Sequence, residues 1–144
     1  MTIHLRKGRY LARQTTDPAD IAAARALRTA AFDCPAEDND PHDARCTHIL
    51  IEDTTDGTLV CTYRLFALHG ADVPQSYAAQ FYELSALQDY EGLMMELGRF
   101  CVAPDRRDPD ILRVAWAALT EYVDAQGVQL LYGCSTFAGE VKEA

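Results

Sequence analysis

Two charged residues, Glu96 and Arg99, interrupt an otherwise apolar run over residues 93–102. The run ends at Ala103-Pro104, and this pattern predicts a mostly buried strand, in which charges are costly unless they are paired. In a regular strand, side chains three positions apart point to opposite faces of the sheet. Gly98 lies between the two charges and favours a β-bulge, which would bring both of them to one face.

This pair of charges has two interpretations. A buried ion pair would only fix the core, and such pairs add little net stability. Alternatively, Glu96 is a general base and Arg99 orients it. Acyl transfer from a thioester to an amine needs a carboxylate to remove a proton from the incoming ammonium, and hydrogen-bond donors to stabilise the oxyanion. Glu96 fits the first need and exposed strand N–H groups beside the bulge fit the second, without a metal or an enzyme nucleophile.

Two other arginines fall where the pattern predicts partial burial. A helix is predicted from Pro18 to about Phe32, and Arg28 lies near its apolar face. Arg28 either extends its stem along apolar surface or places its guanidinium cation in a site where it meets a carboxylate. Arg64 lies within a predicted strand, Thr58–Leu68. Because most arginines in proteins are exposed, we expect its side chain on the solvent face of this strand.

The segment 33–45 has no periodicity and is long enough to predict a functional loop. Five side chains in or just after it could do chemistry, namely Asp40, His42, Asp43, Cys46 and His48. Their spacing matches no zinc pattern, so a metal site is not favoured, and neither is Cys46 as a covalent nucleophile. The two aspartates, three residues apart, could instead hold a substrate ammonium.

A helix and a second short strand follow the charged strand. Asp108 can cap the helix, Pro109 suits its first position and Gly127 can end it. Its apolar residues recur at helical spacing: Ile111, Leu112, Ala115, Leu119 and Tyr122. Residues 128–132 form the next strand. This order predicts a crossover between neighbouring parallel strands, with a ligand near the carboxyl end of the first.

The start of this helix is ambiguous as an anion site. Backbone N–H groups at a helix N-terminus can bind a phosphate. The nearby arginines, Arg106, Arg107 and Arg113, favour that interpretation, whereas the acids Asp105, Asp108 and Asp110 oppose it.

The rest of the chain predicts a strand over residues 9–14 and a hairpin that joins residues 48–53 to Thr58–Leu68 through Asp56-Gly57. Residues 70–92 give no clear prediction beyond one helical turn at 85–88.

Composition limits the classes of function. With 144 residues, of which 49% are hydrophobic, the chain is predicted to form one domain, 1–144. The net charge of −9 and pI near 4.7 argue against nucleic-acid binding through bulk charge. Five cysteines without a C-x-x-C pair, and no secretory segment, predict a cytoplasmic setting. No apolar run approaches the roughly 20 residues needed to cross a bilayer.

Several motifs resemble one family. E-L-G-R-F-C-V at 96–102, L-Y-G-C-S-T-F at 131–137, the hairpin and the preceding D-P-H-D-A-R-C-T-H are similar to L-ornithine Nα-acyltransferases of ornithine lipid biosynthesis. These belong to the GNAT superfamily and are related to acyl-homoserine-lactone synthases. The resemblance implies an α/β, GNAT-like fold with a mixed central sheet flanked by helices. It further implies transfer of a 3-hydroxy fatty acyl group from acyl carrier protein to the α-amine of L-ornithine.

Residue by residue, the resemblance implies a full candidate site. Glu96 and Arg99 would be catalytic. The substrate-binding residues would be Arg28, Phe32, Asp40, Asp43 and Arg64, and the carrier and its pantetheine arm would meet Phe100, Cys101, Val102, Arg106, Arg107 and Arg113. No metal is implied, and the phosphopantetheine thioester is the donor substrate rather than a cofactor. Contact with the inner membrane surface and homo-oligomerisation stay open.

The chain departs from the family in three places. Residues 105–113 lack the glycine-rich loop of acetyl-CoA-binding members, and the first helix, L-R-T-A-A-F, lacks a second arginine. The sequence also stops soon after its fifth predicted strand, so we expect the C-terminal strands of the family to be missing, with an unpaired sheet edge and one open side of the acyl site. Two alternatives remain: an acyl-homoserine-lactone-type synthase that uses S-adenosylmethionine, and a non-catalytic GNAT-like binding domain.

Overall fold

The computed structural model describes residues 2–33 and 40–134. In this part of the chain, six strands form one sheet whose spatial order follows the sequence, and all neighbours are antiparallel except the last two, which are parallel. The strands and α-helices are β1 (His4–Lys7), β2 (Tyr10–Thr15), α1 (Pro18–Ala31), β3 (Thr47–Asp53), β4 (Thr58–Leu68), β5 (Met94–Val102), α2 (Pro109–Gln126) and β6 (Leu130–Gly133).

Short 3₁₀ helices occupy the connections that lack periodicity. One of them, Pro41–Arg45, follows α1, and the others lie between β4 and β5 at Gly70–Gln75, Ala78–Gln80 and Ser85–Asp89. The last confirms the helical turn predicted at 85–88. No helix in the described ranges is long and apolar enough to cross a bilayer.

The predicted mixed sheet with flanking helices is therefore confirmed, with two corrections to the strands. The sequence analysis missed β1 because its side chains are mostly exposed and do not alternate between apolar and polar. The final strand begins at Leu130 rather than at Val128. Val128 still closes the end of α2, since its N–H donates to the carbonyl of Val123 at 3.1 Å.

Helix α2 has the predicted ends. The carboxylate of Asp108 accepts a hydrogen bond from the N–H of Asp110, and Gly127 takes the left-handed conformation, φ 72°, that ends many helices. The predicted apolar face was wrong at Leu112, which is exposed. The buried face is made instead by Ile111, Val114, Ala115, Ala118, Leu119 and Tyr122.

The two α-helices lie on opposite faces of the sheet. On β4, the hydroxyl of Tyr63 donates to the carbonyl of Ala115 in α2 at 2.9 Å. The next residue, Arg64, shares the carboxylate of Asp43 with Arg28 of α1. Consecutive residues of a strand point to opposite faces, so α1 and the 41–45 turn cover one face while α2 covers the other.

The bulge predicted in the charged strand is present. Arg64 pairs with Gly98, but Thr62 pairs with Cys101, so β5 holds one extra residue between these positions. Arg99 provides it, with φ 53° in the left-handed region that few non-glycine residues adopt. The bulge therefore lies at Arg99, one residue after the glycine that predicted it.

Candidate functional site

A cavity of about 990 Å³ opens where β5 and β6 meet the connections that follow α1 and β4. Its walls are largely aromatic and aliphatic, and its polar side chains gather near the bulge. The lining residues are Phe32, His42, Cys46, Arg64, Phe66, Tyr77, Phe81, Tyr82, Glu96, Leu97, Gly98, Arg99, Phe100, Trp116, Leu131, Tyr132, Gly133 and Cys134.

Glu96 lies in this cavity and is held by backbone rather than by an arginine. It is 6% exposed, and its two carboxylate oxygens accept hydrogen bonds from the N–H groups of Tyr77 and Ala78 at 2.9 and 2.7 Å. These donors open the short 78–80 turn, so the segment that the sequence left undefined fixes the position of the carboxylate.

Arg99 lines the same cavity but pairs with a different acid. Its guanidinium donates to Asp40 at 2.8 Å, and its Cζ atom lies 4.8 Å from the centroid of the Tyr77 ring. Tyr77 thus contacts Glu96 through its backbone and Arg99 through its ring. The bulge has placed both charges on one face, as predicted, without the ion pair between them that the structural interpretation required.

Beneath the cavity, Asp43 joins three arginines. Its carboxylate accepts hydrogen bonds from Arg25, Arg28 and Arg64, all between 2.8 and 2.9 Å. Burial raises the pKa of Asp43, but these guanidinium groups outweigh it and hold the pKa well below its usual value. Arg28 is 1% exposed and Arg64 is 3% exposed, so the solvent-facing interpretation of Arg64 was wrong.

Asp40 connects this network to the cavity. It accepts hydrogen bonds from Arg64, Arg99 and the backbone and ring of His42. Burial raises its pKa, but the hydrogen bond from the His42 backbone and the charge of Arg64 outweigh this effect and lower the pKa. Neither Asp40 nor Asp43 lines the cavity, so binding of a substrate ammonium by either would require displacement of an arginine.

Of the residues predicted to bind the carrier and its pantetheine arm, only Phe100 lines the cavity. Cys101 is buried and Val102 packs against the core. Arg106 pairs with Asp53 and Asp56, and Arg113 pairs with Asp110, all away from the cavity.

Arg107 is exposed and also lies outside the cavity lining. Because Asp108 caps the helix with its own carboxylate, the geometry favours a plain capped helix over a phosphate site.

The sequence analysis missed most of the aromatic wall. Phe100 lies between the rings of Tyr63 and Trp116 in a continuous stack, with centroids 5.2 and 5.6 Å apart. Trp116 is half exposed on α2, and its signal was a large aromatic residue on the polar side of the helix. Across the cavity, Phe81 and Tyr82 are also more than half exposed, within a segment that had no periodicity to place them.

The remaining candidate chemistries find no support. Burial raises the pKa of the Cys46 thiol to about 11, so this side chain is a thiol rather than a nucleophilic thiolate near neutral pH. His48 is buried, and its Nε2 atom is 3.0 Å from the carbonyl of Asp43. Within the described ranges, no three histidine, cysteine or acidic side chains are arranged to hold a metal ion.

Comparison with known proteins agrees with this geometry. A family model described as an acetyltransferase (GNAT) domain matches residues 23–117. The chain is 30% identical over 148 residues to an L-ornithine N(alpha)-acyltransferase from Rhodobacter capsulatus, an alignment that covers 90% of the chain and 57% of that relative. The chain therefore spans little more than half the length of the relative.

Two solved structures share the fold at low identity. FeeM, an N-acyl amino acid synthase from uncultured soil microbes, is 16% identical with a TM-score of 0.61, covering 85% of this chain and 70% of that one. The AHL synthase LasI is 19% identical with a TM-score of 0.60, covering 85% and 71%. The matched family model shows that the chain belongs to the GNAT acetyltransferase family, and the mixed sheet flanked by helices agrees with this.

Proposed function

We propose that this chain carries the core of an L-ornithine Nα-acyltransferase, which moves a 3-hydroxy fatty acyl group from acyl carrier protein to the α-amine of ornithine. The observation that supports this most is the position of Glu96, a fixed carboxylate within a large cavity with aromatic walls. The resemblance to the Rhodobacter relative supports the choice of acceptor, since that protein is named for ornithine.

In this proposal Glu96 acts on the nucleophile. Ornithine arrives with its α-amine mostly protonated, and an ammonium cannot attack a carbonyl. The carboxylate attracts the ammonium and accepts a proton from it, directly or through one water molecule. The two N–H groups that bind Glu96 keep its oxygens in place during this transfer, so little reorganisation is needed.

The donor thioester has a place beside the bulge. The cavity lies where the pairing of β5 with β6 ends at Leu97 and Gly133, with Phe100 on one side and Leu131 and Gly133 on the other. Backbone N–H groups near the bulge would stabilise the oxyanion, which is the usual task of fixed donors in acyl transfer. The exposed aromatic residues Phe81, Tyr82 and Trp116 provide apolar surface for the fatty chain.

The cationic side of the cavity suits the acceptor's carboxylate. Arg64 and Arg99 both line it, and each has a guanidinium near the Tyr77 ring. Guanidinium groups bind carboxylates through paired hydrogen bonds, so the α-carboxylate of an amino acid would be oriented there with its ammonium towards Glu96. The acidic carrier protein would meet exposed arginines such as Arg107 at the protein surface.

A single-turnover assay with 3-hydroxyacyl carrier protein and ornithine tests this function. We expect an N-acyl product from the wild type and a rate about 10²–10⁴-fold lower for Glu96→Gln, the usual contribution of a general base. Glu91→Gln is the matched control because Glu91 is exposed on the connection before β5. We expect this control to react within twofold of the wild type.

Two results would count against the proposal. Equal rates for Glu96→Gln and the wild type would remove Glu96 as the base. An intact fold by circular dichroism without any product would favour a binding domain, and product only with S-adenosylmethionine as acceptor would favour a lactone-type synthase.

A further inference from the structure

His42 lines the cavity as a second group with the geometry of a proton acceptor, and Asp40 behind it forms an aspartate–histidine pair with its ring. Nδ1 of His42 is 2.9 Å from Oδ1 of Asp40, and the same oxygen accepts a hydrogen bond from the His42 backbone at 2.8 Å. Asp40 begins the 41–45 turn that contains His42, so the tight turn itself holds the carboxylate beside the imidazole. The histidine side chain lines the cavity and is partly exposed to it.

The hydrogen bonds of the ring indicate which nitrogen carries the proton. The carboxylate of Asp40 also accepts hydrogen bonds from Arg64 and Arg99, and an ionised carboxylate can only accept. Nδ1 of His42 is therefore the donor in its hydrogen bond with Asp40. In the neutral imidazole, Nε2 then carries the lone pair. The side-chain nitrogen of Gln80 lies 3.3 Å from Nε2 and can donate to that lone pair. This is the tautomer that can accept a proton at Nε2, and the exposed amide of Gln80 stands where another donor could replace it.

His42 and Glu96 face one space. Tyr77 donates its N–H to Glu96, and its ring meets the imidazole of His42 edge to face, with centroids 5.6 Å apart. Tyr77 therefore lies between the two candidate acceptors, with its backbone against Glu96 and its ring against His42. Both side chains line the same cavity, and each contacts Tyr77.

The reaction releases two protons from the nucleophilic nitrogen, which gives two acceptors a purpose. The incoming ammonium must lose one proton before the nitrogen attacks. After the C–N bond forms, the nitrogen is cationic and loses a second proton as the C–S bond breaks. The departing thiolate takes up one proton and the solvent receives the other, so the overall reaction yields an amide, a thiol and one free proton.

We propose that His42, oriented by Asp40, is a proton acceptor for the amine substrate at this site. This inference rests on the proposed acyl transfer. Glu96 takes the first proton from the ammonium, and Nε2 of His42 accepts the second proton after the C–N bond has formed, becoming an imidazolium that Asp40 stabilises. The His42 imidazolium returns its proton to the departing thiolate as the C–S bond breaks, and Glu96 releases its proton to solvent before the next turnover.

The matched variants His42→Asn and His42→Ala separate this role from a structural one. The amide nitrogen of asparagine can replace Nδ1 as the donor to Asp40, but asparagine has no counterpart of Nε2. Alanine removes the whole ring and leaves space for free imidazole. The control is His4→Ala, since His4 is exposed on β1, the strand furthest from β5 and β6 in the sheet.

Single-turnover rates are measured with 3-hydroxyacyl carrier protein and ornithine, with and without added imidazole. We expect both His42 variants to react at least tenfold more slowly, His42→Ala to regain most of the rate in imidazole, and His4→Ala to match the wild type. Circular dichroism checks that each variant is folded.

Three results would overturn the assignment. His42→Asn at the wild-type rate would show a structural role only, and a slow His42→Ala that imidazole does not restore would remove His42 as the acceptor. A wild type without product would overturn the proposed function itself, so the two failures differ in whether the unmodified chain reacts.

Discussion

At the scale of single residues, this protein concentrates its buried charge around two aspartates. Asp43 accepts hydrogen bonds from three arginines, while Asp40 contacts Arg64, Arg99 and His42. A buried carboxylate that partners several cations adds little compared with an apolar core, but its removal leaves those cations uncompensated. We infer that Asp43 organises the floor of the site rather than binding substrate.

Replacement of Asp43 tests that role. We expect Asp43→Asn to lose about 3–5 kcal/mol of unfolding free energy, because three guanidinium groups would share a neutral partner in a buried place. Asp20→Asn is the control, since Asp20 also pairs with an arginine but is partly exposed, and we expect it to lose about 1 kcal/mol or less. Urea unfolding at pH 7 measures both, and an equal loss in the two variants would contradict the role of Asp43.

At the scale of the element, the bulge in β5 gives the site its geometry at a cost in backbone energy. Without the extra residue, Arg99 would point to the face covered by α2, away from Glu96 and Asp40. With it, Arg99 must adopt φ 53°. Residues outside the common regions of backbone conformation persist where surrounding contacts hold them, and they cluster at functional sites.

Two substitutions at Arg99 separate the side chain from the backbone. Both Arg99→Gly and Arg99→Ala lose the contacts with Asp40 and Tyr77, but only glycine adopts φ 53° without strain. The left-handed conformation costs a non-glycine residue about 1–2 kcal/mol, and the greater freedom of unfolded glycine offsets part of this. We therefore expect the glycine variant to be more stable than the alanine variant by about 0.5–1 kcal/mol in urea unfolding. An alanine variant of equal or greater stability would show that the bulge is unstrained.

At the scale of the whole molecule, several aspartates in different parts of the fold are paired with arginines and have lowered pKa values. Hydrogen bonds from Arg13 lower the pKa of Asp20 to about 2, and hydrogen bonds from Arg9 lower that of Asp53. Although burial raises the pKa values of Asp40 and Asp43, their hydrogen bonds and neighbouring arginines lower both of them below the usual value. Burial lowers the pKa of His48, which is therefore kept neutral.

These shifts predict that the protein loses stability in acid in two stages. A group whose pKa is lower in the folded state contributes stability above its unfolded value and loses it as the pH falls through the folded value. Stability should begin to fall below about pH 6.5, the unfolded value of histidine, and fall more steeply below about pH 4, the unfolded value of aspartate. Urea midpoints from pH 8 to pH 2.5 measure the profile, and a midpoint that rises on acidification would contradict it.

Much of the fold was readable from the sequence because it rests on local rules. Asp108 and Gly127 mark the ends of α2, Asp56-Gly57 marks the hairpin, and the apolar run with its glycine predicted a bulged, buried strand. These signals depend on neighbouring residues in the chain. The resemblance to a known family then indicated Arg28, whose orientation the pattern left open, and Arg64, for which the pattern had favoured the solvent face.

Only the tertiary structure decided what those residues contact. The sequence could not show that Glu96 is held by the backbone of Tyr77 and Ala78, because residues 70–92 have no periodicity and their position depends on packing against distant strands. It also could not show that Asp40 orients His42 towards the cavity. Hydrogen bonds between elements depend on distances in space, which local propensity does not encode. The sequence therefore predicted most helices and strands, whereas the contacts within the site depended on the tertiary structure.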